Sequence, residues 1–475
     1  MILKSTKGVL FEITDNDSKF PLGEGTFGTT YKARRVSDNL PCALKRFKPQ
    51  KDPMLVKLLA VVRKNIEKLS KEHIKDYVTG KRSTQIIDPL DENSLFVFED
   101  GTFGYAMELV DTKKFVSIKT FRTNVQDVRV VCKAIKNFAR AMRSVHLSGW
   151  CYKDISSNNV YFDPQSGDVR IIDCDNVSVP KNKTVLGTPN FIAPEVYETA
   201  TPDMESDFFS MALVLYTLCT GAHPLLGKKV LAYLDSVNGD LYDRMPIVYG
   251  RDAVFVFDPV NKSNEIRRYK GRLRNYFDSE ISYWETLPDS LRNAFIKTFS
   301  DGIKPENKHM RTSDSKWESI ADLLIRENTI KCEHCKKYSF SDRTVDGRNI
   351  VHKRCWFCDE EMPFISEPYT AVFSVKRNIS NNVHEFKISR KQQVNRSIHP
   401  HIPELSTPGW LQVKYYEDMN ILVAINNTQL TWKYRVPGHQ EHLCQPGGKI
   451  ALVKGTKINI NRDMVEMVVK DIQCR

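Results

Sequence analysis

The most informative stretch of the sequence reads Tyr152-Lys153-Asp154-Ile155-Ser156-Ser157-Asn158-Asn159, then a strand-like run, Val160-Tyr161-Phe162, and then Ile171-Ile172-Asp173-Cys174-Asp175. Carboxylates and an amide therefore stand at the ends of short strands. Oxygen ligands of this kind suit Mg²⁺, which keeps several waters and needs few carboxylates. A single Asp or Asn between strands is usually a turn residue. The ordered set Asp154, Asn159 and Asp173 is better explained by one shared site.

A second motif, Leu22-Gly23-Glu24-Gly25-Thr26-Phe27-Gly28, has the pattern G-x-G-x-x-G. Its glycines would let backbone N–H groups approach phosphates closely. In a dinucleotide fold such a run opens a helix, and an acid follows about twenty residues later. Here the residues that follow, Thr29 to Arg34, are strand-like, and a further strand, Cys42-Ala43-Leu44-Lys45, ends in a lysine. This order of strand, glycine hairpin, strand and lysine is typical of protein kinases.

Across residues 8–326 the sequence resembles eukaryotic-like (Hanks-type) serine/threonine protein kinases. The resemblance implies transfer of the γ-phosphate of ATP to a protein hydroxyl, with Mg²⁺ or Mn²⁺ as the metal. It implies the roles of four residues: Asp154 is the base, Asn159 and Asp173 hold the metal, and Lys45 grips the α- and β-phosphates. It also implies that Gly23, Gly25 and Gly28 cradle the phosphates.

Lys45 needs an acidic partner on the helix that follows it. Glu67, in Ile66-Glu67-Lys68-Leu69, is the first choice and Glu72 is the competitor, because helical phase does not separate them. On the adenine side, the resemblance implies that Met107 is the gatekeeper. The hinge that follows, Glu108-Leu109-Val110, would read the adenine edge.

The run Gly187-Thr188-Pro189-Asn190-Phe191-Ile192-Ala193-Pro194-Glu195 resembles the end of a kinase activation segment. By this resemblance Glu195 should pair with a buried arginine, for which Arg311 is the candidate. Asp207 should brace the backbone of the catalytic loop, and Thr188 should lie beside Asp154.

A closer resemblance is to a bacterial subgroup, the TerY-P triad kinases. It rests on four runs: Gly101-Thr102-Phe103-Gly104-Tyr105-Ala106-Met107, Tyr152-Lys153-Asp154-Ile155-Ser156, Asp173-Cys174-Asp175-Asn176-Val177, and Tyr249-Gly250-Arg251-Asp252-Ala253-Val254-Phe255-Val256-Phe257-Asp258-Pro259. Members are encoded beside a von Willebrand-domain protein and a metal-dependent protein phosphatase. The resemblance implies a cytoplasmic signalling or stress kinase with these two proteins as partners.

Several positions depart from the kinase pattern. The usual His-Arg-Asp is Tyr152-Lys153-Asp154, and Asp-Phe-Gly is Asp173-Cys174-Asp175. Ser156 replaces a lysine that steadies the transferred phosphate, and losing such a charge costs ~2–4 kcal/mol of transition-state stabilisation. Lys153 could neutralise a phosphorylated activation segment, whose hydroxyls are Ser178, Thr184 and Thr188. The alternative function is a nucleotide-binding pseudokinase that recruits partners through its C-terminal regions.

Two Cys-x-x-Cys pairs, Cys332-Glu333-His334-Cys335 and Cys355-Trp356-Phe357-Cys358, are separated by nineteen residues. Each pair can present two thiolates to one ion, and this spacing is typical of structural zinc ribbons. Four thiolates leave no open position, so the Zn²⁺ should be structural. His334 and His352 are expected to be non-ligands. The seven other cysteines are scattered, which indicates a reducing compartment rather than a disulfide framework.

Beyond residue 363 the sequence is strand-like, with turn signals at Asn426-Asn427, Pro437-Gly438 and Pro446-Gly447-Gly448. The order faintly resembles the closing half of forkhead-associated domains, which bind phosphothreonine. The candidate phosphate contacts, Arg390, Arg396, Ser397 and His399, do not follow that family's pattern. A protein-interaction domain is the preferred interpretation.

We therefore predict an α+β chain with three parts. A bilobal protein-kinase fold spans 8–326, with a β-rich N-lobe at about 8–110 and an α-rich C-lobe at about 111–326. A four-cysteine zinc ribbon spans 327–363, and a small β-sandwich-like domain spans 364–475. The formal charge of +12 over 475 residues fits a mixed-charge surface, so we expect no nucleic-acid partner. No stretch is apolar enough to predict a membrane span.

Overall fold

The computed structural model describes residues 1–180, 187–235, 245–327, 329–340, 344–346, 349–351, 354–362, 369–377, 380–389, 402–405, 409–416, 421–462 and 464–474. The chain divides into two units, Met1–Met362 and Pro363–Arg475.

The first unit opens with a seven-stranded antiparallel sheet and two helices. Their bounds are β1 Ile2–Lys4, β2 Leu10–Glu12, α1 Asp15–Lys19, β3 Gly23–Glu24, β4 Gly28–Arg35, β5 Pro41–Phe47, α2 Pro53–Glu72, β6 Leu95–Val97 and β7 Phe103–Glu108. The strand order is β1-β2-β4-β5-β7-β6, and β3 pairs with β4. Because β5 is central, successive side chains enter two different cores. Leu44 packs with Phe11 and Phe96 on one face, whereas Ala43 and Phe47 join the main core on the other.

Helix α2 covers this second face of the sheet. It begins at Pro53 after Asp52, whose carboxylate accepts a hydrogen bond from the backbone N–H of Met54. This capping arrangement satisfies an N–H group that the helix leaves without a partner. The buried residues Val62, Ile66 and Leu69 lie three and four positions apart and form the apolar face of the helix.

The rest of the first unit is mainly helical. Its elements are α3 Ile118–Asn124, α4 Val128–Leu147, β8 Val160–Phe162, β9 Val169–Ile171, α5 Pro194–Thr199, α6 Met204–Thr220, α7 Lys228–Asp235, α8 Arg274–Thr286, α9 Asp289–Ile296 and α10 Asp314–Glu327. Wider turns at Pro246–Arg251 and Lys297–Asp301 interrupt the helices. Helix α6 is buried along almost its whole length, so its apolar character reflects a core position and not a membrane span. Within the described ranges, no helix combines the length and apolar character that crossing a bilayer requires.

Two short hairpins follow within the same unit: β10 Thr329–Lys331 with β11 Tyr338–Phe340, and β12 Thr344–Asp346 with β13 Asn349–Val351. Cys332 and Cys335 lie in the connection between β10 and β11, and Cys355 and Cys358 follow β13.

The second unit contains two antiparallel sheets. Its strands are β14 Tyr369–Arg377, β15 Ser380–Ser389, β16 Leu411–Tyr416, β17 Ile421–Asn426, β18 Trp432–Arg435, β19 His442–Cys444, β20 Lys449–Leu452, β21 Lys457–Ile460 and β22 Val465–Cys474. One sheet has the order β15-β14-β22-β21-β18-β19 and the other β16-β17-β20. Side chains from both sheets, including Phe373 and Leu422, share one core. Arg390, Arg396, Ser397 and His399 lie outside the described residues.

Candidate active site

The catalytic loop leaves α4 and leads into β8, and a buried carboxylate holds its backbone. Asp207, in the first turn of α6, accepts hydrogen bonds from the N–H groups of Tyr152 and Lys153, at 2.6 and 2.9 Å. The Tyr152 hydroxyl donates to the Ile172 carbonyl at 2.6 Å, which ties this loop to the strand that leads to Asp173. The predicted bracing role of Asp207 is confirmed.

Asp154 is fixed from two sides. Its Oδ1 accepts hydrogen bonds from the backbone N–H of Thr188 at 2.8 Å and from the Thr188 hydroxyl at 3.1 Å, as predicted. The Asn159 amide donates to the Asp154 carbonyl at 2.9 Å. Gly187 lies so close that a Cβ there would stand 2.8 Å from Asp154 Oδ1. Burial raises the pKa of Asp154, the Thr188 N–H opposes that shift, and the charge of Asp173 adds to it.

Lys45 lies in β5 and meets two carboxylates from the segment after β9. Its ammonium is 2.6 Å from Asp173 Oδ1 and also contacts Asp175 Oδ2. The other oxygen of Asp175 accepts a hydrogen bond from the Tyr105 hydroxyl at 2.8 Å. Although burial disfavours its charge, Asp175 and Asp173 raise the pKa of Lys45. Burial and the charge of Asp173 raise the pKa of Asp175.

The expected pairing of Lys45 with Glu67 does not occur. Glu67 Oε1 contacts Arg63 Nε at 2.9 Å, one turn earlier on α2, and the competitor Glu72 lies 3.7 Å from Lys68 Nζ. The Glu67 side chain is 44% exposed and pairs with Arg63 instead of Lys45. The position expected for a helix carboxylate is taken by Asp175.

The glycine motif forms the predicted hairpin between β3 and β4. The Gly25 N–H donates to the Gly28 carbonyl at 2.9 Å. A Cβ at Gly28 would lie 2.8 Å from the Arg46 carbonyl and 3.3 Å from Lys45 Cε, so a larger residue would push into the strand that carries the lysine. At Gly23 a Cβ would meet no atom within 4 Å, which leaves that side of the hairpin open for a ligand.

The residues predicted to contact adenine lie at the end of β7 and just after it. Met107 is buried in β7 opposite Ala43, and Glu108 is the last residue of that strand. Val110 is half-buried against the main core. Their contacts with adenine stay a prediction.

Further along the chain, Arg311 donates two hydrogen bonds of 2.7 Å to the two carboxylate oxygens of Glu195, and both residues are buried. The predicted pairing is confirmed. Lys153 Nζ donates to the Val179 carbonyl at 2.9 Å. Of the activation-segment hydroxyls, Ser178 is buried, Thr188 bonds Asp154, and Thr184 lies outside the described residues.

A magnesium ion fits the donors that the site offers. Asp173 is 35% exposed in its side chain, so its carboxylate can turn from Lys45 to a cation. Asn159 uses its amide nitrogen for the Asp154 carbonyl, which leaves the amide oxygen, the atom that a hard cation prefers.

Three neighbours of this site were not expected from the sequence. Asp175 stands where the common kinase motif has glycine, and that replacement was its only signal. Tyr105 had no motif of its own. His146, at the end of α4, contacts Asp314 Oδ2 at 2.7 Å and Asp207 Oδ2 at 3.2 Å, and so supports the residue that holds the catalytic loop.

The four cysteines converge at a separate place in the same unit. One sulfur atom from each of Cys332, Cys335, Cys355 and Cys358 lies within 4.8 Å of the others. The Cys332–Cys358 and Cys335–Cys355 sulfur pairs are 3.8 and 3.7 Å apart. A tetrahedral Zn²⁺ with bonds of about 2.3 Å needs sulfur separations of about 3.8 Å, so the ion fits. His334 is not in the cluster, and His352 lies outside the described residues.

Comparison with known proteins shows what the first unit is similar to. Residues 17–244, slightly less than half of the 475-residue chain, match the protein kinase domain family. Serine/threonine-protein kinase Nek5 of Homo sapiens is 24% identical over 220 residues, which are 44% of this chain and 28% of that protein. Serine/threonine-protein kinase SMU1 of Mycosarcoma maydis is 25% identical over 312 residues, which are 62% of this chain and 36% of that protein.

Serine/threonine-protein kinase CLA4 of Candida albicans is 24% identical over 294 residues, which are 59% of this chain and 26% of that protein. The chain thus spans between about a quarter and about a third of the length of these relatives. Residues 17–244 of its first unit are therefore similar to protein kinase domains, and the relatives named above are serine/threonine-protein kinases.

Proposed function

We propose that the chain is an ATP-dependent serine/threonine protein kinase that transfers the γ-phosphate of ATP to a protein hydroxyl. The observation that carries the proposal is the contact of 2.6 Å between Lys45 and Asp173, which are 128 positions apart in the sequence. Beside this contact lie the glycine hairpin and the braced loop with Asp154. An ammonium group, a metal-binding carboxylate and a base are the parts that phosphoryl transfer requires.

In the proposed mechanism Lys45 holds the α- and β-phosphates under the hairpin of Gly23, Gly25 and Gly28. Asp154 accepts the proton of the acceptor hydroxyl while that oxygen bonds to the γ-phosphorus, and the bond to the β-phosphate oxygen breaks. Thr188 fixes Oδ1 of Asp154, so Oδ2 can face the acceptor. Met107, Glu108 and Val110 would contact the adenine.

Asp173 and Asn159 would hold Mg²⁺ or Mn²⁺. When bound, such an ion would neutralise negative charge that develops on the phosphates. Ser156 brings no cation to the transferred phosphate, so the expected rate is lower than that of a kinase with lysine at this position.

The sequence motifs support a wider context for the proposal. A bacterial kinase and phosphatase signalling or stress system in the cytoplasm would include a protein substrate, a von Willebrand-domain partner and a metal-dependent protein phosphatase. The four cysteines would bind a structural Zn²⁺, and the second unit would bind a protein.

Incubation of the purified chain with γ-labelled ATP and Mg²⁺ tests the proposal. We expect label on the chain itself or on a co-purified partner, and loss of at least about a hundredfold in Asp154→Asn, since a positioned base contributes 10²–10⁴-fold. Asp168→Asn is the matched control, because Asp168 is an exposed turn residue. Equal background labelling in all three proteins, together with retained ATP binding, would favour the pseudokinase scaffold instead.

A further inference from the structure

The proposed mechanism gives no role to one buried carboxylate of the site, that of Asp175. Asp175 lies two residues after Asp173, in the short helical turn Cys174–Asn176. Its side chain is only 11% exposed. A carboxylate buried to this degree requires a cation and hydrogen-bond donors.

Both oxygens of Asp175 are engaged, and the partners come from neighbouring strands. Oδ2 contacts the ammonium of Lys45, on β5, and Oδ1 accepts the hydrogen bond of 2.8 Å from Tyr105, on β7. Lys45 and Tyr105 stand directly opposite each other across the two strands. Tyr105 is completely buried. The phenol therefore fixes the carboxylate independently of the lysine.

The two acids on Lys45 differ in how freely they can leave it. Asp173 is more exposed than Asp175 and is the carboxylate that fits a metal ion. If Asp173 turns to the metal, Asp175 remains as the acid in contact with Lys45. Asp175 has no such alternative, because Lys45 is the cation that the described part of the chain places against it.

Glu67 does not compete for the lysine in this structure. Its ion pair with Arg63 joins two half-buried side chains one turn apart on α2. To reach Lys45, Glu67 would have to leave Arg63 and displace a carboxylate that Tyr105 holds in place.

We propose that Asp175, and not an acid of α2, is the positioning carboxylate that holds Lys45 against the nucleotide phosphates. This role deepens the proposed function and rests on it. The opposite interpretation is that Asp175 draws Lys45 out of the site and Glu67 is the working partner. The geometry favours the first, because Lys45 remains 2.6 Å from Asp173 while it contacts Asp175.

The test compares Asp175→Asn with Glu67→Gln, since each change removes one charge and preserves side-chain size. Dissociation constants for Mg²⁺–ATP and for adenosine are measured by calorimetry, so the result does not depend on catalytic turnover. We expect Asp175→Asn to weaken ATP binding at least tenfold and to leave adenosine binding within twofold, because in the proposed mechanism Lys45 holds the phosphates and does not contact adenosine. Glu67→Gln should bind both ligands within twofold of the unchanged protein.

A general packing defect would weaken ATP and adenosine together, and that outcome would overturn the proposal. So would a larger loss of ATP affinity in Glu67→Gln, or tighter ATP binding in Asp175→Asn. If the proposed function alone is wrong, ATP affinity still falls selectively in Asp175→Asn while no phosphate is transferred by the unchanged protein.

A second measurement covers the case in which Asp175→Asn does not fold. Tyr105→Phe removes the hydroxyl that fixes Asp175 and leaves every charge in place. It should weaken ATP binding about threefold and leave adenosine binding unchanged, and equal affinity for ATP would contradict the proposal. In a Lys45→Met background Tyr105→Phe should have no further effect on ATP affinity, because residues that act through one contact are not additive.

Discussion

The four-cysteine cluster and the cluster around Lys45 both gather polar groups at one point, but they are assembled in different ways. Each Cys-x-x-Cys turn supplies two sulfur atoms from one short segment, so the fold has only to bring two such turns together. Around Lys45 the groups come from three segments that are distant in the sequence: β5, β7 and the turn after β9. A local motif therefore specifies its own partners, whereas a distributed site leaves the choice of partner to the tertiary structure.

Removal of zinc should have the largest effect. Binding of a structural Zn²⁺ contributes about 10 kcal/mol or more in isolated zinc-finger peptides, and here it would be lost completely. We expect Cys332→Ser to purify without zinc and to melt the 329–362 region. Cys444→Ser, in the second unit, should retain one zinc per chain. Elemental analysis and hydrogen exchange of this region provide the measurement, and full zinc content in Cys332→Ser would contradict the local assembly.

The ion pair of Glu195 and Arg311 is an example of the distributed kind, because the two residues are 116 positions apart in the sequence. Both groups are buried, and loss of one partner leaves the other charge unpaired. Arg311→Met should lower the free energy of unfolding of the first unit by about 3–5 kcal/mol. Lys48→Met, which breaks an exposed pair with Glu24, should cost less than about 1 kcal/mol. Denaturant titration compares the two variants, and equal losses would show that burial does not govern the effect.

The sequence predicted what local patterns determine. The strands predicted at Thr29–Arg34 and Cys42–Lys45 lie within two residues of the bounds of β4 and β5, and the helix expected after Lys45 is α2. The motifs likewise located Asp154, Lys45 and Asp173. Asp175 was not identified as the partner of Lys45, because that assignment depends on which way Glu67 faces and on the reach of Tyr105 across the sheet.

The packing of the cysteine segment against the helices was also not predictable. Its contacts include those of Trp356 and Tyr338, which look in the sequence like ordinary aromatic residues near cysteines. In the structure Arg129 lies over the Tyr338 ring, and the Trp356 indole donates to the Cys219 carbonyl at the end of α6. Neither Arg129 nor Cys219 belongs to a sequence motif that predicts the contact.

The two kinds of cluster should also respond differently to pH, and His146 shows the expected response of the distributed kind. Burial pulls the pKa of His146 down, but its bonds to Asp207 and Asp314 outweigh this and raise the pKa to about 9. Its usual value is about 6.5. Because the folded-state pKa is the higher one, the contribution of His146 is complete below about pH 6.5 and is lost as the pH rises to about 9.

Over that range the unchanged protein should lose about 3 kcal/mol of stability relative to His146→Gln. Denaturant titrations at pH 6 and pH 9.5 measure the difference. A loss of the same size in both proteins would assign the effect to other groups. Zinc binding should show the opposite trend, because thiolates bind metal better as the pH rises.

The smallest expected effect on stability concerns the contact between the cysteine segment and helix α6. Trp356 stands between Cys355 and Cys358 in the sequence, and its indole N–H donates to the Cys219 carbonyl at 3.1 Å. Trp356→Phe keeps an aromatic ring but leaves that buried carbonyl without its donor, which costs about 1–2 kcal/mol. Since Asp207 at the other end of α6 holds the catalytic loop, the loss should appear in the unfolding of the first unit while zinc content stays at one per chain.

Phe357→Leu is the matched control, because the Phe357 ring is only partly buried and offers no hydrogen bond. If Trp356→Phe instead released the zinc and left the stability of the helices unchanged, the contact would serve the cysteine cluster alone, and the distributed part of the molecule would not depend on the local one.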